Sequence, residues 1–414
     1  MRHALLPKLA LVAALGILPG VSIAAPADQR PEGVTGATWQ FGPLNRWAYT
    51  HMNEVLPSKH IRSNPAAINA LEGRDSAVDD IGLSVDGEET TLADLVETLY
   101  IDGVLVLVDG KVALERYSGT LTPDRTHLLW SVSKTITGLT AASVVADGDL
   151  DLDKTVADYV PELADSGWGP DTLRDVLDMR DASAWNEDYS APDSTVRRQD
   201  CSDGLLTGSD CEGVPLVGNY VFLPAVARDE ERVGTFVYKS GTTDVMAWVL
   251  EAATGKRFAD LVSEHIWQPM GAERDAGITV DVGGFTLASG GIHATLGDVA
   301  RVGQLMLDRG RVGETQLFAE SWMDDVFSRD GSRSWPFPIE GAKPYYRSFI
   351  WGLGDGRGSV QAQGVHGQAI YVAPESGVVI AMLSSWPDAL GGVPGVDGEE
   401  QLKVMRALEA AFSR

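Results

Sequence analysis

Two hairpin patterns, one on each side of a long helical middle, constrain the fold of this chain more than any other feature. The first joins an apolar run over 103–108 to an alternating run over 111–117 through Asp109-Gly110, a dipeptide typical of type I′ turns. The second covers 369–383 and turns at a Pro-Glu-Ser-Gly stretch. Strands at both ends of a chain with helices between them predict one antiparallel sheet to which both ends contribute.

Helical periodicity accounts for much of the remaining chain. It is clearest in five stretches: 43–55, 91–99, 135–146, 243–253 and 399–412. The last stretch places Val404, Met405, Leu408 and Phe412 on one face. We therefore expect an α/β (α+β) fold, in which an antiparallel sheet is flanked by helices and an all-helical lobe covers about 135–310.

The first residues have the pattern of a secretory signal peptide. Arg2 and Lys8 flank the start of an apolar run over 9–18, and Ser22-Ile23-Ala24 is a small-x-small cleavage site. The apolar run is too short to span a bilayer. We predict a cleavable signal peptide over 1–24 and a periplasmic or secreted protein without a membrane anchor. A retained N-terminal anchor is the alternative.

The charge of the chain restricts its partners. It carries 33 Lys and Arg residues against 59 Asp and Glu residues, a net charge of −26. Such an excess of negative charge repels phosphate backbones and anionic lipid surfaces. We therefore expect a small-molecule partner, and neither nucleic acid nor a membrane surface.

Cys201 and Cys211 are the only cysteines, and both stand in a Gly-, Asp- and Ser-rich stretch. In an exported protein such a pair predicts a disulfide. Two cysteines do not supply the four ligands of a structural zinc site. We expect a disulfide between them and no metal.

A Ser-x-x-Lys pair stands at the start of the predicted helix over 135–146. Ser131 lies at the helix N-terminus, and Lys134 follows one turn later on the same side. A serine hydroxyl needs an adjacent base to become a nucleophile, and a lysine can be that base only if burial and positive neighbours lower its pKa. The helix start also offers unpaired N–H groups to an oxyanion. The alternative is a capping serine followed by a lysine on a solvated face.

Tyr238-Lys239-Ser240 precedes the predicted helix over 243–253. Its phenol would exchange a proton with the Lys134 amine and protonate the leaving group, provided that the cation depresses the pKa of the phenol. Lys239-Ser240-Gly241 also resembles the Lys-Thr-Gly element of penicillin-recognising enzymes, which belongs on a strand beside the nucleophile. Because this element introduces a helix, we assign it to the tyrosine motif.

Gly364-Val365-His366-Gly367-Gln368 opens the second hairpin, and we predict that it forms the strand beside the nucleophile. Its glycines let the backbone approach a bound acyl group. One strand N–H would then complete an oxyanion hole with the N–H of Ser131. The alternative for His366 is a packing histidine at the start of a strand.

These motifs resemble the β-lactamase-related serine hydrolases of class C architecture. The stretches that match in order, spacing and flanking residues are 130–134, 238–240, 364–368 and 384–387. Within that family the chain is most similar to the 6-aminohexanoate-dimer hydrolase branch. The resemblance runs from about Pro43 to the C-terminus and implies a β-lactamase/transpeptidase-like fold. We expect a serine hydrolase domain over 91–414, after a lead-in segment with a helix over 25–90. The active site is then expected in the cleft between the sheet and the helical lobe.

By matching position, the resemblance makes Ser131 the nucleophile and Lys134 and Tyr238 its proton carriers. It implies an oxyanion hole formed by the N–H groups of Ser131 and Val365. Three further residues are expected to support the site: Ser240, Gly364 and His366.

The resemblance also implies substrate-binding positions. Tyr189 closes over the scissile amide, and Asp200 contacts an amine of the substrate. Ser289 departs from the branch, whose amide-cleaving form can carry Asn there. The acidic side chains of Glu187 and Asp188 would attract an ammonium group by charge, unless they form an ordinary solvated turn.

The predicted function is hydrolysis of a small ester or amide through an acyl-enzyme, without a cofactor. Neither Gly-x-Ser-x-Gly nor His-Glu-x-x-His occurs, which argues against α/β-hydrolases and zinc hydrolases. A D-alanyl-D-alanine peptidase or a β-lactamase is the alternative among enzymes, although the terminal strand lacks Lys-Thr-Gly. A peptidoglycan-binding protein with an inactive site is the alternative outside enzymes.

Overall fold

The structure, a computed structural model, describes residues 29–328 and 343–413. Its contacts divide the chain into two units, Met1–Arg30 and Pro31–Arg414, and every element named below belongs to the second. The predicted signal peptide over 1–24 lies outside the described residues. None of the helices that the structure describes is long and apolar enough to cross a bilayer.

The described helices are concentrated between residues 132 and 262, and the others lie before, among and after the strands. In chain order they are α1 (Asn45–Ala48), α2 (Met52–Val55), α3 (Leu92–Thr98), α4 (Val132–Ala146), α5 (Val156–Tyr159), α6 (Leu173–Leu177), α7 (Thr195–Asp203), α8 (Asn219–Phe222), α9 (Ser240–Thr254), α10 (Phe258–Val262), α11 (Leu296–Leu307), α12 (Glu320–Phe327) and α13 (Gly398–Phe412). The helix α13 begins at a cap in which the Asp397 carboxylate accepts from the N–H groups of Glu399 and Glu400. Its predicted apolar face packs in the core, as expected.

The strands assemble into one large sheet and three smaller ones. In chain order they are β1 (Ser58–Ile61), β2 (Gly82–Val85), β3 (Glu88–Thr91), β4 (Ile101–Val108), β5 (Lys111–Tyr117), β6 (His127–Leu128), β7 (Ala276–Thr279), β8 (Ile292–Ala294), β9 (Arg311–Val312), β10 (Thr315–Gln316), β11 (Tyr345–Arg347), β12 (Ile350–Gly352), β13 (Val360–Gly364), β14 (Gln368–Ala373) and β15 (Val378–Ser384). The seven-stranded main sheet has the order β11-β12-β13-β14-β15-β4-β5, and every neighbouring pair is antiparallel.

Both predicted hairpins are confirmed. Asp109 and Gly110 turn between β4 and β5 with φ angles of 48° and 78°, the two positive values that a type I′ turn requires. The two halves of the sheet meet where β15 pairs with β4, with Ile380 opposite Val106. The two ends of the chain therefore build one sheet, as the sequence predicts.

Both faces of the main sheet are buried, so its central strands are apolar throughout instead of alternating. Leu105 and Leu107 of β4 point into a core shared with α4, α9 and α11. Val104 and Val106 point into the opposite core, shared with α3 and α13. The sheet is thus a middle layer between two helical layers, the larger of which carries α4.

The stretch of about 135–310, which was predicted to form an all-helical lobe, also contains two strands. Its last helix, α11, packs on the main sheet. The strands β7 and β8 join β1 and β6 in a four-stranded sheet of order β1-β7-β8-β6. A Cβ at Gly303 of α11 would meet Val379 at 2.5 Å and Ile370 at 2.8 Å, so the close approach depends on glycine.

The lead-in segment differs from the prediction in its helix. The helix expected over 43–55 is broken into α1 and α2, because Thr50 and His51 both turn their side chains to the Trp47 carbonyl, at 2.9 and 2.7 Å. Residues 61–90, which lack clear periodicity, contain the hairpin of β2 and β3.

Candidate active site

The small sheet fixes the start of α4. The strand β6 pairs with β8, and just beyond it the Leu129 N–H donates to the Ile292 carbonyl at 2.8 Å. The Ile292 N–H in turn donates to the Ser133 hydroxyl at 3.1 Å. Between these anchors Trp130 has a left-handed backbone, with φ of 45°, and Ser131 is the cap residue of α4.

Lys134 is buried and gives one hydrogen bond to each of three oxygens around it. Its Nζ lies 2.8 Å from Ser131 Oγ, 3.0 Å from Ser240 Oγ and 2.6 Å from the Ser289 carbonyl. The side chain is 1% exposed. The lysine is therefore not on a solvated face, and the predicted contact between Ser131 and Lys134 is present.

Burial lowers the pKa of Lys134 to about 8, although the carboxylates of Glu187, Asp244 and Asp200 act in the opposite direction. Positive neighbours were expected to help lower this pKa, and that part of the expectation is wrong. Desolvation alone does so, because it disfavours the charged amine. An appreciable fraction of the amine is therefore neutral near neutral pH.

The ring of Tyr238 lies beside the amine, with Lys134 Nζ 5.2 Å from the ring centroid. Its pKa is raised, first by burial and then by the charge of Glu187, while a hydrogen bond with Ser131 opposes the shift. The expected depression of this pKa by the cation is therefore wrong. Tyr238 is a neutral phenol, which suits it to donate a proton.

The side chain of Lys239 contacts Asp181 and does not contact Ser131. Its Nζ donates to Asp181 Oδ1 at 2.7 Å, and both side chains are fully buried. Ser240, the next residue, starts α9 and faces Lys134 instead. The element therefore belongs to the tyrosine motif, as assigned.

Glu187 was expected either to attract an ammonium group or to lie in a solvated turn, but its carboxylate instead contacts other residues of the cleft. Its carboxylate accepts from the Tyr189 hydroxyl at 2.6 Å, the Trp185 indole N–H at 2.5 Å and the Ser240 N–H at 2.9 Å. The Ser240 hydroxyl, which accepts from Lys134, donates to the same carboxylate. Glu187 therefore orients the hydroxyl that contacts the amine of Lys134, and its place near Tyr189 was the only signal in the sequence.

The stretch 364–368 is not one continuous strand, which corrects the prediction. Gly364 ends β13, Gln368 begins β14, and residues 365–367 form the turn between them, in which His366 has a left-handed backbone with φ of 61°. The turn nevertheless lies against Ser131, since a Cβ on Gly364 would come within 3.1 Å of the Ser131 nitrogen and 2.7 Å of the Leu129 carbonyl. Glycine at 364 thus brings the Val365 backbone close to the start of α4.

His366 packs in the core beside this turn. Its Nδ1 donates to the Trp386 carbonyl at 2.8 Å, and its backbone N–H donates to the Ala389 carbonyl at 2.8 Å. Burial lowers the pKa of His366 to about 4, so the ring is neutral at neutral pH. The histidine brings no positive charge to the site.

Most of the predicted site residues line one cleft. It is lined by Ser131, Tyr189, Asp200, Ser240, Ser289, Val365 and His366, among others. Two of the predicted substrate-binding side chains are already engaged. Asp200 accepts from Arg197 at 3.1 Å, and the Ser289 hydroxyl donates to Asp244 at 3.0 Å.

The predicted disulfide is present between Cys201, in α7, and Cys211. Their Cα atoms are 5.3 Å apart, within the usual range for a disulfide. The covalent link fixes the C-terminal end of α7, the helix that also carries Asp200. In the part of the chain that the structure describes, no group of three or more His, Cys, Asp or Glu side chains is arranged to hold a metal ion.

A family model and a curated protein both match most of the chain. The family model described as Beta-lactamase matches residues 92–395. The 6-aminohexanoate-dimer hydrolase of Paenarthrobacter ureafaciens is 36% identical over 380 residues, which cover 90% of this chain and 94% of that protein.

Solved structures with the same fold are also found. The structure named "Putative 6-aminohexanoate-dimer hydrolase from Bacillus anthracis" superposes with a TM-score of 0.82 at 26% identity, over 92% of this chain and 96% of the other. A D-stereospecific amidohydrolase from Streptomyces sp. superposes with a TM-score of 0.55 at 14% identity, over 75% of this chain and 95% of the other. The second likeness concerns the fold alone.

Proposed function

This chain belongs to the beta-lactamase family, and from that premise we propose that it hydrolyses a small ester or amide through an acyl-enzyme on Ser131. The observation that carries the proposal is the 2.8 Å contact of the Ser131 hydroxyl with the buried amine of Lys134, whose pKa is lowered to about 8. A lysine of this kind can accept a proton from a serine, whereas an exposed lysine cannot.

Acylation begins when neutral Lys134 takes the proton of the Ser131 hydroxyl. The oxygen attacks the substrate carbonyl, an O–C bond forms, and the carbonyl oxygen becomes an oxyanion. The N–H groups of Ser131 and Val365 stabilise this oxyanion, and removal of one such donor typically costs about 3–4 kcal/mol of transition-state stabilisation. The support for this role is the close approach of the turn at Gly364 to the Ser131 nitrogen.

Collapse of the intermediate breaks the bond to the leaving group. Tyr238 gives its proton to the departing amine or alkoxide, and the ammonium of Lys134 returns a proton to Tyr238. Water then attacks the acyl carbonyl, loses a proton to the same pair and releases the acid with Ser131 restored. Burial favours this order because it keeps Tyr238 protonated until the leaving group needs the proton.

The direct test is mass spectrometry after treatment with a fluorophosphonate, with the adduct mapped by peptide digestion. We expect an adduct on Ser131 and none in the Ser131→Ala variant, whose circular dichroism should match the wild type. Lys134→Ala should lose about as much turnover of p-nitrophenyl acetate as Ser131→Ala, because the two act as a unit. An adduct on Ser133 or Ser240 would overturn the assignment, and no adduct would favour a binding protein.

The substrate class that best fits is a small amide or ester related to the 6-aminohexanoate dimer. The relative of that name is similar over nearly its whole length. We expect short esters to react faster than amides, because an alkoxide leaves without the full proton donation that an amine requires. The test is kcat/KM for the dimer against a short acyl ester.

A β-lactamase or D-alanyl-D-alanine peptidase fits less well. Those enzymes hold a substrate carboxylate with a lysine on the strand beside the nucleophile, and here that place is taken by neutral His366. Among the described residues that line the cleft, the only cationic side chain is Arg197, and it is paired with Asp200. Penicillins are therefore expected to be poor substrates.

We also propose that the protein is exported after cleavage of residues 1–24. The disulfide between Cys201 and Cys211 supports this, because disulfides persist in oxidising compartments. N-terminal sequencing of the protein purified from periplasm or medium should begin at Ala25. Recovery of an intact N-terminus from the membrane fraction would favour a retained anchor.

A further inference from the structure

A short stretch of the lead-in segment, residues 39–42, contributes to the cleft that contains the proposed nucleophile. The indole of Trp39 stacks on that of Trp130, with ring centroids 5.6 Å apart and an angle of 6° between the planes. At the other end of the stretch, the Gly42 N–H donates to the Pro387 carbonyl at 2.9 Å. The stretch is therefore held at both ends, although it lies outside the part of the chain that matches the family model.

Phe41, inside this stretch, turns its ring to the cleft. The ring is 37% exposed, whereas the other apolar residues that line the cleft are buried or half-buried. The guanidinium carbon of Arg197 lies 6.0 Å from the ring centroid, which places the ring between the lead-in segment and α7. The backbone N–H of Phe41 donates to the Thr38 carbonyl at 3.1 Å. This contact fixes the backbone without the side chain, so the ring itself is available to a ligand.

The lining near Phe41 favours an apolar ligand group. Four more apolar side chains contribute to it: Val196, Leu205, Leu287 and Ala389. The two opposite charges in the lining, Arg197 and Asp200, form a pair at 3.1 Å and neutralise each other. An apolar chain in this part of the cleft would leave water and cover these side chains and the exposed ring, which is favourable in proportion to the apolar area that is buried.

The position of Tyr238 indicates which part of a substrate occupies this cleft. In the proposed mechanism Tyr238 gives its proton to the leaving group, and Ser131 keeps the acyl group. Ser131 lines the cleft, whereas Tyr238 is not among the described residues that do so. The leaving group therefore departs on another side, and the chain that runs from Ser131 toward Phe41 belongs to the acyl group.

We propose that Phe41 binds the apolar chain of the acyl group and thereby sets the acyl-chain length that the enzyme prefers. The inference rests on the proposed hydrolase function and deepens it, because it assigns acyl selectivity to the lead-in segment and not to the groups that transfer protons. A phenyl ring suits this role because it offers a large, rigid apolar face.

The experiment compares p-nitrophenyl hexanoate with p-nitrophenyl acetate, two esters that share a leaving group. The readout is the ratio of their kcat/KM values within each variant, so that any general loss of activity cancels. The wild type should prefer hexanoate at least about tenfold, since a single methylene in an apolar pocket can contribute that much. Phe41→Ala should lower the ratio at least about fivefold, and Phe41→Leu, which keeps an apolar side chain, by less than about twofold.

Ile68→Ala is the matched control. Ile68 also belongs to the lead-in segment and is 43% exposed, but it does not line the cleft. Its ratio should stay within about twofold of the wild type. Three results would overturn the proposal: a wild type that does not prefer hexanoate, an unchanged ratio in Phe41→Ala, and an equal fall of the ratio in Ile68→Ala.

If neither ester is cleaved and a fluorophosphonate leaves no adduct on Ser131, the hydrolase function itself fails. Saturation-transfer NMR with hexanamide, and with acetamide as the short control, then still tests the apolar subsite. Weaker hexanamide binding by Phe41→Ala than by wild type supports the subsite, and equal or absent binding refutes it.

Discussion

The imidazole ring of His366 stacks on the indole of Trp130, with ring centroids 5.6 Å apart and an angle of 25° between the planes. Both residues have left-handed backbones, with φ of 61° and 45°, a conformation that costs about 1–3 kcal/mol in a residue other than glycine. Trp130 precedes Ser131, and His366 follows Val365. The stack therefore links the two backbone segments that carry the proposed oxyanion donors.

We expect His366→Asn to lower kcat for a short ester about tenfold with little change in KM. Asparagine tolerates the left-handed backbone, so the turn is kept while the stack is lost. The expected loss is smaller than the 10²–10³-fold typical of a deleted oxyanion donor, because the donor is only misplaced. Steady-state kinetics check this, and a raised KM with unchanged kcat would indicate that His366 shapes the binding cleft instead.

The pH dependence should report the amine of Lys134. Its pKa is lowered to about 8, and only the neutral amine accepts the serine proton, so kcat/KM for an uncharged ester should rise with pH and level off above the pKa. Asp244 and Asp200, whose pKa values are raised to about 6 and about 7, ionise before this point. A rate that falls between about pH 7 and pH 9 would contradict the role of Lys134 as base.

Glu187→Gln should move this pH profile to lower pH. Glu187 is the strongest of the groups that raise the pKa of Lys134, so removal of its charge makes the ammonium form less favourable and the pKa falls. Gln keeps a side-chain oxygen as an acceptor for Ser240. The charge-matched control is Glu314→Gln at an exposed turn, which should leave the profile where it is. A shift to higher pH, or equal shifts in both variants, would show that Glu187 does not act on Lys134.

The sequence predicts best the features that depend on neighbouring residues. The hairpin at Asp109-Gly110 and the Ser131–Lys134 pair follow from local backbone geometry, and the structure contains both. The hairpin of β2 and β3 carries the same signal at Asp86-Gly87, but its strands are too short and polar to show a period.

The contacts that the sequence patterns did not predict join residues that are far apart in the chain. Glu187 accepts a hydrogen bond from Ser240, which lies 53 residues later in the chain. This contact depends on how the loop before α7 packs against the start of α9. No local periodicity encodes such a contact. The same holds for the short strands β7 and β8, which pair with each other but also with β1 and β6, far earlier in the chain.

Lys239 offers a test of stability that is separate from catalysis. Its pair with Asp181 is fully buried, and loss of one partner leaves an uncompensated buried charge, which typically costs about 3–5 kcal/mol. We expect Lys239→Met to lower the free energy of unfolding by about that amount in urea titration. Lys256→Met, which breaks an exposed, solvent-screened pair with Glu264, should lower the free energy of unfolding far less. Equal stability of the two variants would mean that the Lys239 pair is not stabilising.

The disulfide between Cys201 and Cys211 should raise the free energy of unfolding, although the loop that it closes is small. The two cysteines are 10 positions apart, and closing a loop of that size stabilises by about 3 kcal/mol in the chain-entropy model. It also holds the end of α7, the helix that carries Asp200. Cys201→Ser/Cys211→Ser should therefore unfold at lower urea concentration than the oxidised wild type, and dithiothreitol should lower the wild-type midpoint to a similar value. Thiol titration of the exported, unreduced protein in denaturant should find no free thiol, and two free thiols would refute the disulfide.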